Sequence, residues 1–187
     1  MSEQTAPAHP SPTEVLAFWR EAGPDLWFKH DEGFDASISA RFAATYGDAA
    51  ADLLNTWENS PEGALALVIV LDQFPRNMFR GNARSFATDI RARAVAERAI
   101  AKGFDGKTAM PERVFFYLPF EHSEDLADQE RAVALIGSTG DADLLKWAQL
   151  HADIIRRFGR FPHRNALLGR TSTPQEQAFL DGGGFAG

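Results

Sequence analysis

The chain has 187 residues, a formal net charge of −7 and no cysteine. That length suits one domain burying roughly 70% of the surface its unfolded form would expose. The missing thiol excludes disulfides, thiolate nucleophiles, iron–sulfur clusters and Cys-based zinc sites. The acidic balance argues against nucleic acid as principal partner, because that binding draws on neutralised phosphates.

Residues 1–12, "MSEQTAPAHPSP", hold neither a basic start nor an apolar run and read as a frayed tail, not a signal peptide. The longest apolar run, Ala64 to Leu71, is far short of the ~20 residues of a membrane span, so no membrane partner and a cytoplasmic location are expected. Ser11, Pro12 and Glu14 form a capping box, predicting a helix that carries Val15, Leu16, Phe18 and Trp19. "GPDLWFKHDEG" reads as a loop anchored by Trp27 and Phe28. Phe34, Ile38 and Phe42 then recur at helical spacing, and a third helix is predicted around Leu53, Leu54 and Trp57.

"PEGALALVIVLDQFP" reads as a central helix that Pro75 stops. Phe86, Ile90 and Ala94 mark a fifth helix ending near Gly103, and "PERVFFYLP" gives a short sixth. Helices over 122–137 and 141–158 follow. Thr173 to Glu176 repeats the opening capping pattern before a last short helix. Nothing alternates with a strand period. The predicted class is all-α, a single domain over residues 13–181 with seven to nine helices, followed by a C-terminal tail at 182–187.

Several polar residues fall on apolar faces. His151 lies within the stripe Leu144, Ala148, Ile155 and Phe158. His122 and Gln129 share a stripe with Leu126, Val133 and Ile136, and Asp72 ends the apolar face of Leu65 and Val68. Each must find a partner on burial, at a cost of about 1–3 kcal/mol if it does not. Five acids at 121–130 face the prospect of five arginines at 156–170, so internal ion pairs are one expectation.

The other is a ligand. Arginine's planar fork matches carboxylate or phosphate, so Arg76, Arg160 and Arg164 with Asn77 and Asn165 suit a small anion. These positions sit beside two similar corners, "FPRNMFRG" and "FPHRNALLGR". His122, flanked by Glu121 and Glu124, suits a general acid or base, and His151 points inward toward the same region. The candidate catalytic set is therefore His122, Glu121, Glu124 and His151. The candidate binding set is Asp72, Arg76, Asn77 and Gln129, with Arg160, His163, Arg164 and Asn165. No HxxxH or HExxH is present, so neither a metal nor another cofactor is expected. "DGGGF" at 181–185 precedes no helix and is no phosphate loop.

The ordered strings "VLAFW", "LDQFPRN", "PFEHSE", "FGRFPHRN" and "LGRTSTP", spread over about residues 13–181, resemble the bacterial family known as domain of unknown function 924. The resemblance implies an all-helical, tetratricopeptide-like array, although no 34-residue repeat signature is present. It carries no assigned reaction. It brings forward only the motif positions Asp72, Arg76, Asn77, Glu121, His122, Glu124, His163, Arg164 and Asn165.

Two functions from different classes follow. One is a pocket protein that binds a small anion and acts on it, with hydrolysis as one such action. The other is a helical interaction scaffold in which the same polar residues form a structural network, with a homodimer or a protein partner open to it.

Overall fold

Ser11 and Glu14 close the capping box: the Glu14 carboxylate accepts from Ser11 N at 2.7 Å, and Ser11 Oγ accepts from Glu14 N. The computed structural model describes residues 10–185; those parts of the predicted tails at 1–9 and 186–187 lie outside the described residues. Helix α1 (Pro12–Ala22) buries Val15, Leu16 and Trp19. The stretch predicted as a loop contains one helical turn, α2 (Pro24–Trp27). Trp27 stacks on Trp19 and donates its Nε1–H to the Trp19 carbonyl at 2.6 Å. Phe28 does not share that anchoring role, being 56% exposed.

Asp31 caps α3 (Glu32–Ala50), whose inner face carries Phe34, Ile38 and Phe42 as their spacing predicts. The third predicted helix does not continue from it. Asp52 adopts a left-handed φ of 64°, which breaks the helix, and only a 3₁₀ segment, Asn55–Asn59, follows. Leu53 is consequently 68% exposed.

α4 (Pro61–Val68) is capped by Ser60 and passes the Trp57 carbonyl so closely that a Cβ at Gly63 would lie 2.2 Å from it. It runs into a π-helical turn, Ile69–Gln73, and then α5 (Phe74–Met78), one rod that passes through Pro75 instead of stopping there. The π turn is the reason. Phe74 N–H reaches back five residues to Ile69 O, widening the turn where proline's ring would otherwise meet a carbonyl. The Leu71 carbonyl, which proline cannot bond, accepts from Thr88 Oγ1 at 2.6 Å.

α6 (Asp89–Ala101) buries Ala92, Val95, Ala96 and Ala99, a face offset from the predicted one, and leaves Ile90 76% exposed. "PERVFFYLP" forms a 3₁₀ segment, Glu112–Phe116, leading into α7 (Leu118–Glu121). His122 is the C-cap of α7 and not part of the next helix, because Asp125 caps α8 (Leu126–Gly137) by accepting from Ala127 N and Asp128 N. α9 (Ala142–Phe158) starts at the Asp141 cap and ends at left-handed Gly159. The corner Pro162–Arg164 follows, then α10 (Pro174–Asp181) with its Thr173–Glu176 capping box.

Counting the rod once, nine helices and no strand occur among the described residues, in one domain. The rod lies at the centre with Ala64 to Leu71 fully enclosed, packed by α1, α3 and α6. α8 and α9 pack as a pair and carry the corner beyond α9 to the end of the rod. No helix among the described residues is long and apolar enough to cross a membrane.

Candidate functional site

The π turn delivers Asp72 to the end of the buried rod with its side chain wholly enclosed. One carboxylate oxygen lies 2.9 Å from His122 Nδ1, and the other accepts from Gln73 Nε2 at 2.6 Å. Arg76 Nη1 stands 3.4 Å from the first oxygen and 3.0 Å from Asp89 on α6, and also donates to the Asp72 carbonyl. Burial pushes the Asp72 carboxyl up. The charges of His122 and Arg76 and the hydrogen bonds from His122 and Gln73 outweigh it and hold the group well below the usual carboxylate range. Because the carboxylate accepts, His122 donates from Nδ1, which leaves Nε2 as the ring nitrogen not engaged by Asp72.

The residue before His122 makes a second pair. Glu121 Oε1 lies 2.6 Å from His151 Nδ1 on α9, a charge contact whose angle is not that of an in-line hydrogen bond. Edge contacts with Phe161 and Phe185 hold the His151 ring.

At the corner after α9, the Arg164 guanidinium carbon lies 4.5 Å from the centroids of both the Phe86 and Phe161 rings. The side chain is 8% exposed; Nη1 is 3.5 Å from Asp89, and Nε has no partner. Burial, then the neighbouring Arg76 charge, push its pKa down to about 10. His163 beside it, its Nδ1 also unpartnered, is pushed down to about 4 by burial and then by the Arg164 and His151 charges.

These groups meet in one cavity of about 880 Å³, whose polar wall includes Gln73, Arg76, His122, His151, His163 and Arg164. Glu121 and Asn77 also reach it, while Leu118, Leu144, Trp147, Leu167 and Phe185 supply apolar wall. His122 and Arg164, far apart in sequence, thus share one space, as the anion-pocket expectation requires. Asn77 borders the cavity, but its amide donates to Asp35 at 2.7 Å.

Four predicted site residues are turned away from this cavity. Glu124 binds Arg170 through both oxygens, at 2.6 and 2.9 Å, and accepts from Phe161 N. Arg160 forks onto Glu176 at 2.6 and 2.8 Å, and Asn165 bonds Ser172, Glu176 and Arg170. Gln129 donates to the carbonyls of Glu121 and Ser123, both at 2.6 Å. Bonded inside the protein, although Gln129 Oε1 has no partner, these four side chains do not line the cavity. The complementary charge of 121–130 and 156–170 is therefore satisfied in part internally, as at Glu124–Arg170.

Sequence reasoning missed Gln73, Phe86, Asp89 and Phe185. Gln73 was within reach, standing beside Asp72 in "LDQFPRN". Asp89 opens a helix and looks like an ordinary first-turn acid, and nothing local says that it faces two arginines. Phe185, an aromatic directly after three glycines, was the signal that this segment packs. Among the described residues no group of three or more His, Asp or Glu is placed to hold a metal ion.

The model of a family described as a bacterial protein of unknown function (DUF924) matches residues 15–184. A solved structure, a protein of unknown function, ATU0120, from Agrobacterium tumefaciens, is similar at 46% identity and a TM-score of 0.89, covering 91% of this chain and 97% of that one. Comparison with curated proteins gives no match. With the family model spanning nearly the whole described chain, and the all-helical fold shared with that neighbour, the protein belongs to the DUF924 family.

Proposed function

We propose that the cavity binds a small organic anion, carboxylate or phosphate, and that His122 acts on it as general base or acid. The observation carrying this reading is Arg164: a guanidinium almost fully buried on the cavity wall, with Nε unpaired and its charge disfavoured by burial and by Arg76. An anion supplying two oxygens to that fork provides the missing acceptor and relieves both penalties.

In hydrolysis of an ester or amide, His122 Nε2 takes a proton from water as the water oxygen bonds the acyl carbon; the bond from that carbon to the leaving oxygen or nitrogen then breaks, and the leaving atom takes the proton back from the ring, which Asp72 holds in place. Arg164 and Arg76 then hold the developing negative charge, and His151 beside Glu121 is the second group able to carry a proton. A cytoplasmic location and the lack of a nucleic-acid or membrane partner belong to the same reading.

The scaffold reading has its own support in Glu124, Gln129, Arg160 and Asn165, whose bonds are internal. It gives no role to the free Arg164 Nε. A thermal-shift screen of wild type and Arg164→Gln against small carboxylates and phosphates tests the choice. A ligand at a hundred times its Kd should raise the wild-type midpoint by roughly 5 to 10 °C, and the rise should vanish in the variant. No rise from any anion would sink the pocket and favour the scaffold.

A further inference from the structure

Resting on the anion-pocket reading, we infer that the ligand is a monocarboxylic acid with an apolar body, taken up together with a proton. Two independent observations carry this. The first is the wall. Beyond the arginines and histidines, the cavity presents Leu118, Leu144, Trp147, Leu167 and Phe185, and Trp147 remains 52% exposed. Large apolar side chains left open to a cavity of this size fit an apolar ligand body; acetate or phosphate alone would leave them in contact with water.

The second is charge. Two guanidinium groups, part-buried Arg76 and buried Arg164, stand against the buried carboxylates Asp72 and Asp89, and a third buried carboxylate, Glu121, lies against His151. His163 adds nothing at neutral pH, since burial holds it unprotonated. Glu124 and Arg170 neutralise each other behind the corner, and Arg80 with His30 offset Asp35 at the mouth, where Lys29 and Asp143 also lie. Three carboxylates against two guanidinium groups leave the buried cluster with an excess of negative charge before any proton on the imidazoles is counted. An incoming anion therefore calls for a proton, and His122 and His151, 2.9 and 2.6 Å from a carboxylate oxygen, are the rings placed to hold it. A carboxylate asks for one such proton. A phosphomonoester dianion asks for more and resists desolvation against the apolar wall.

The test is isothermal titration calorimetry of the full chain near pH 7 with phenylacetate, 4-phenylbutyrate, hexanoate, acetate, phenyl phosphate and inorganic phosphate. Each is measured in two buffers of different ionisation enthalpy, so that proton uptake is read directly. The expected result is that at least one apolar acid binds about tenfold or more tightly than acetate and phenyl phosphate, with net proton uptake. Each factor of ten corresponds to about 1.4 kcal/mol. Arg164→Gln should abolish this binding, and Trp147→Ala should weaken the apolar acids while leaving acetate unchanged. Acetate or a phosphate binding as well as the apolar acids, in an Arg164-dependent way, would overturn this inference and leave the anion site standing. Binding of an apolar acid without proton uptake would overturn the charge argument. No binding by any probe, or binding indifferent to Arg164, would overturn both.

Discussion

Glu121 and His122, joined by one peptide bond, complete two different carboxylate–imidazole pairs: Glu121 with His151 on α9, and His122 with Asp72 at the end of the central rod. Gln129 clamps this stretch by donating to the carbonyls of Glu121 and Ser123, the residues on either side of His122. Both pairs therefore depend on one buried amide that touches neither imidazole. Gln129→Met, close in volume, removes both bonds and strands buried carbonyls, each costing about 1–3 kcal/mol. Denaturant unfolding should show a loss in that range. A change under 0.5 kcal/mol would mean that water replaces the amide and that the clamp is dispensable.

Arg164 and Arg160, four residues apart, should behave in opposite ways. Arg160 is committed to buried Glu176, so Arg160→Met should lower the melting temperature and leave anion binding alone. Arg164 has only a 3.5 Å approach to Asp89 and packs on two rings, so Arg164→Met should keep most stability and lose binding. Thermal melts of both variants, with and without phenylacetate, decide the matter. Equal destabilisation would return Arg164 to the structural network.

Stability should fall with pH in a window set by His163. Its folded pKa of about 4 lies below the ordinary value near 6.5. Above 6.5 the ring is neutral in both states, and no penalty exists. From 6.5 down to 4 the unfolded chain binds a proton that the folded chain refuses, so stability declines and then levels off below 4. An unscreened shift of that size is worth ~3 kcal/mol, and partial solvent access reduces it to ~1–2 kcal/mol. His163→Phe should flatten this part of the profile relative to wild type, as read from urea midpoints at several pH values. Parallel profiles would show that the ring titrates freely in the folded state.

Thr88 supports the rod from outside by donating to the Leu71 carbonyl. Thr88→Val keeps the shape and leaves that carbonyl unpaired in a dry setting, an expected loss of about 1–3 kcal/mol, whereas Thr88→Ser should retain the bond and most of the stability. Equal losses in the two variants would point to packing of the methyl group as the dominant role.

What could be read before folding was whatever depends on neighbours in the chain. Both capping boxes, the Phe34, Ile38 and Phe42 face, and the burial of Asp72 and His151 follow from local spacing, and all are present. Three of four errors have one physical source, long-range partners, and the fourth, at His122, is a local choice between caps. Pro75 does not end a helix whose bond is rerouted and whose orphan carbonyl is met from seventeen residues away. His122 belongs to the end of α7 because Asp125 supplies a better cap for α8. Arg160 and Asn165 satisfy Glu176 and Arg170, so the two corners that were expected to aim five polar side chains at a ligand aim fewer. Ile90 is exposed because α6 meets the rod through its alanines and Val95.

The π turn also sets phase. It acts as a single extra residue threaded into an otherwise α-helical rod, and at 3.6 residues per turn one residue is worth about 100° of rotation. Upstream, the rod is apolar all round because every direction is core; downstream, Arg76 and Asn77 look into the cavity. Deleting one residue from 69–73 would restore regular helix and swing both side chains about a quarter-turn away, turning fully buried Phe74 out of its aromatic packing and removing Arg76 from the cavity wall.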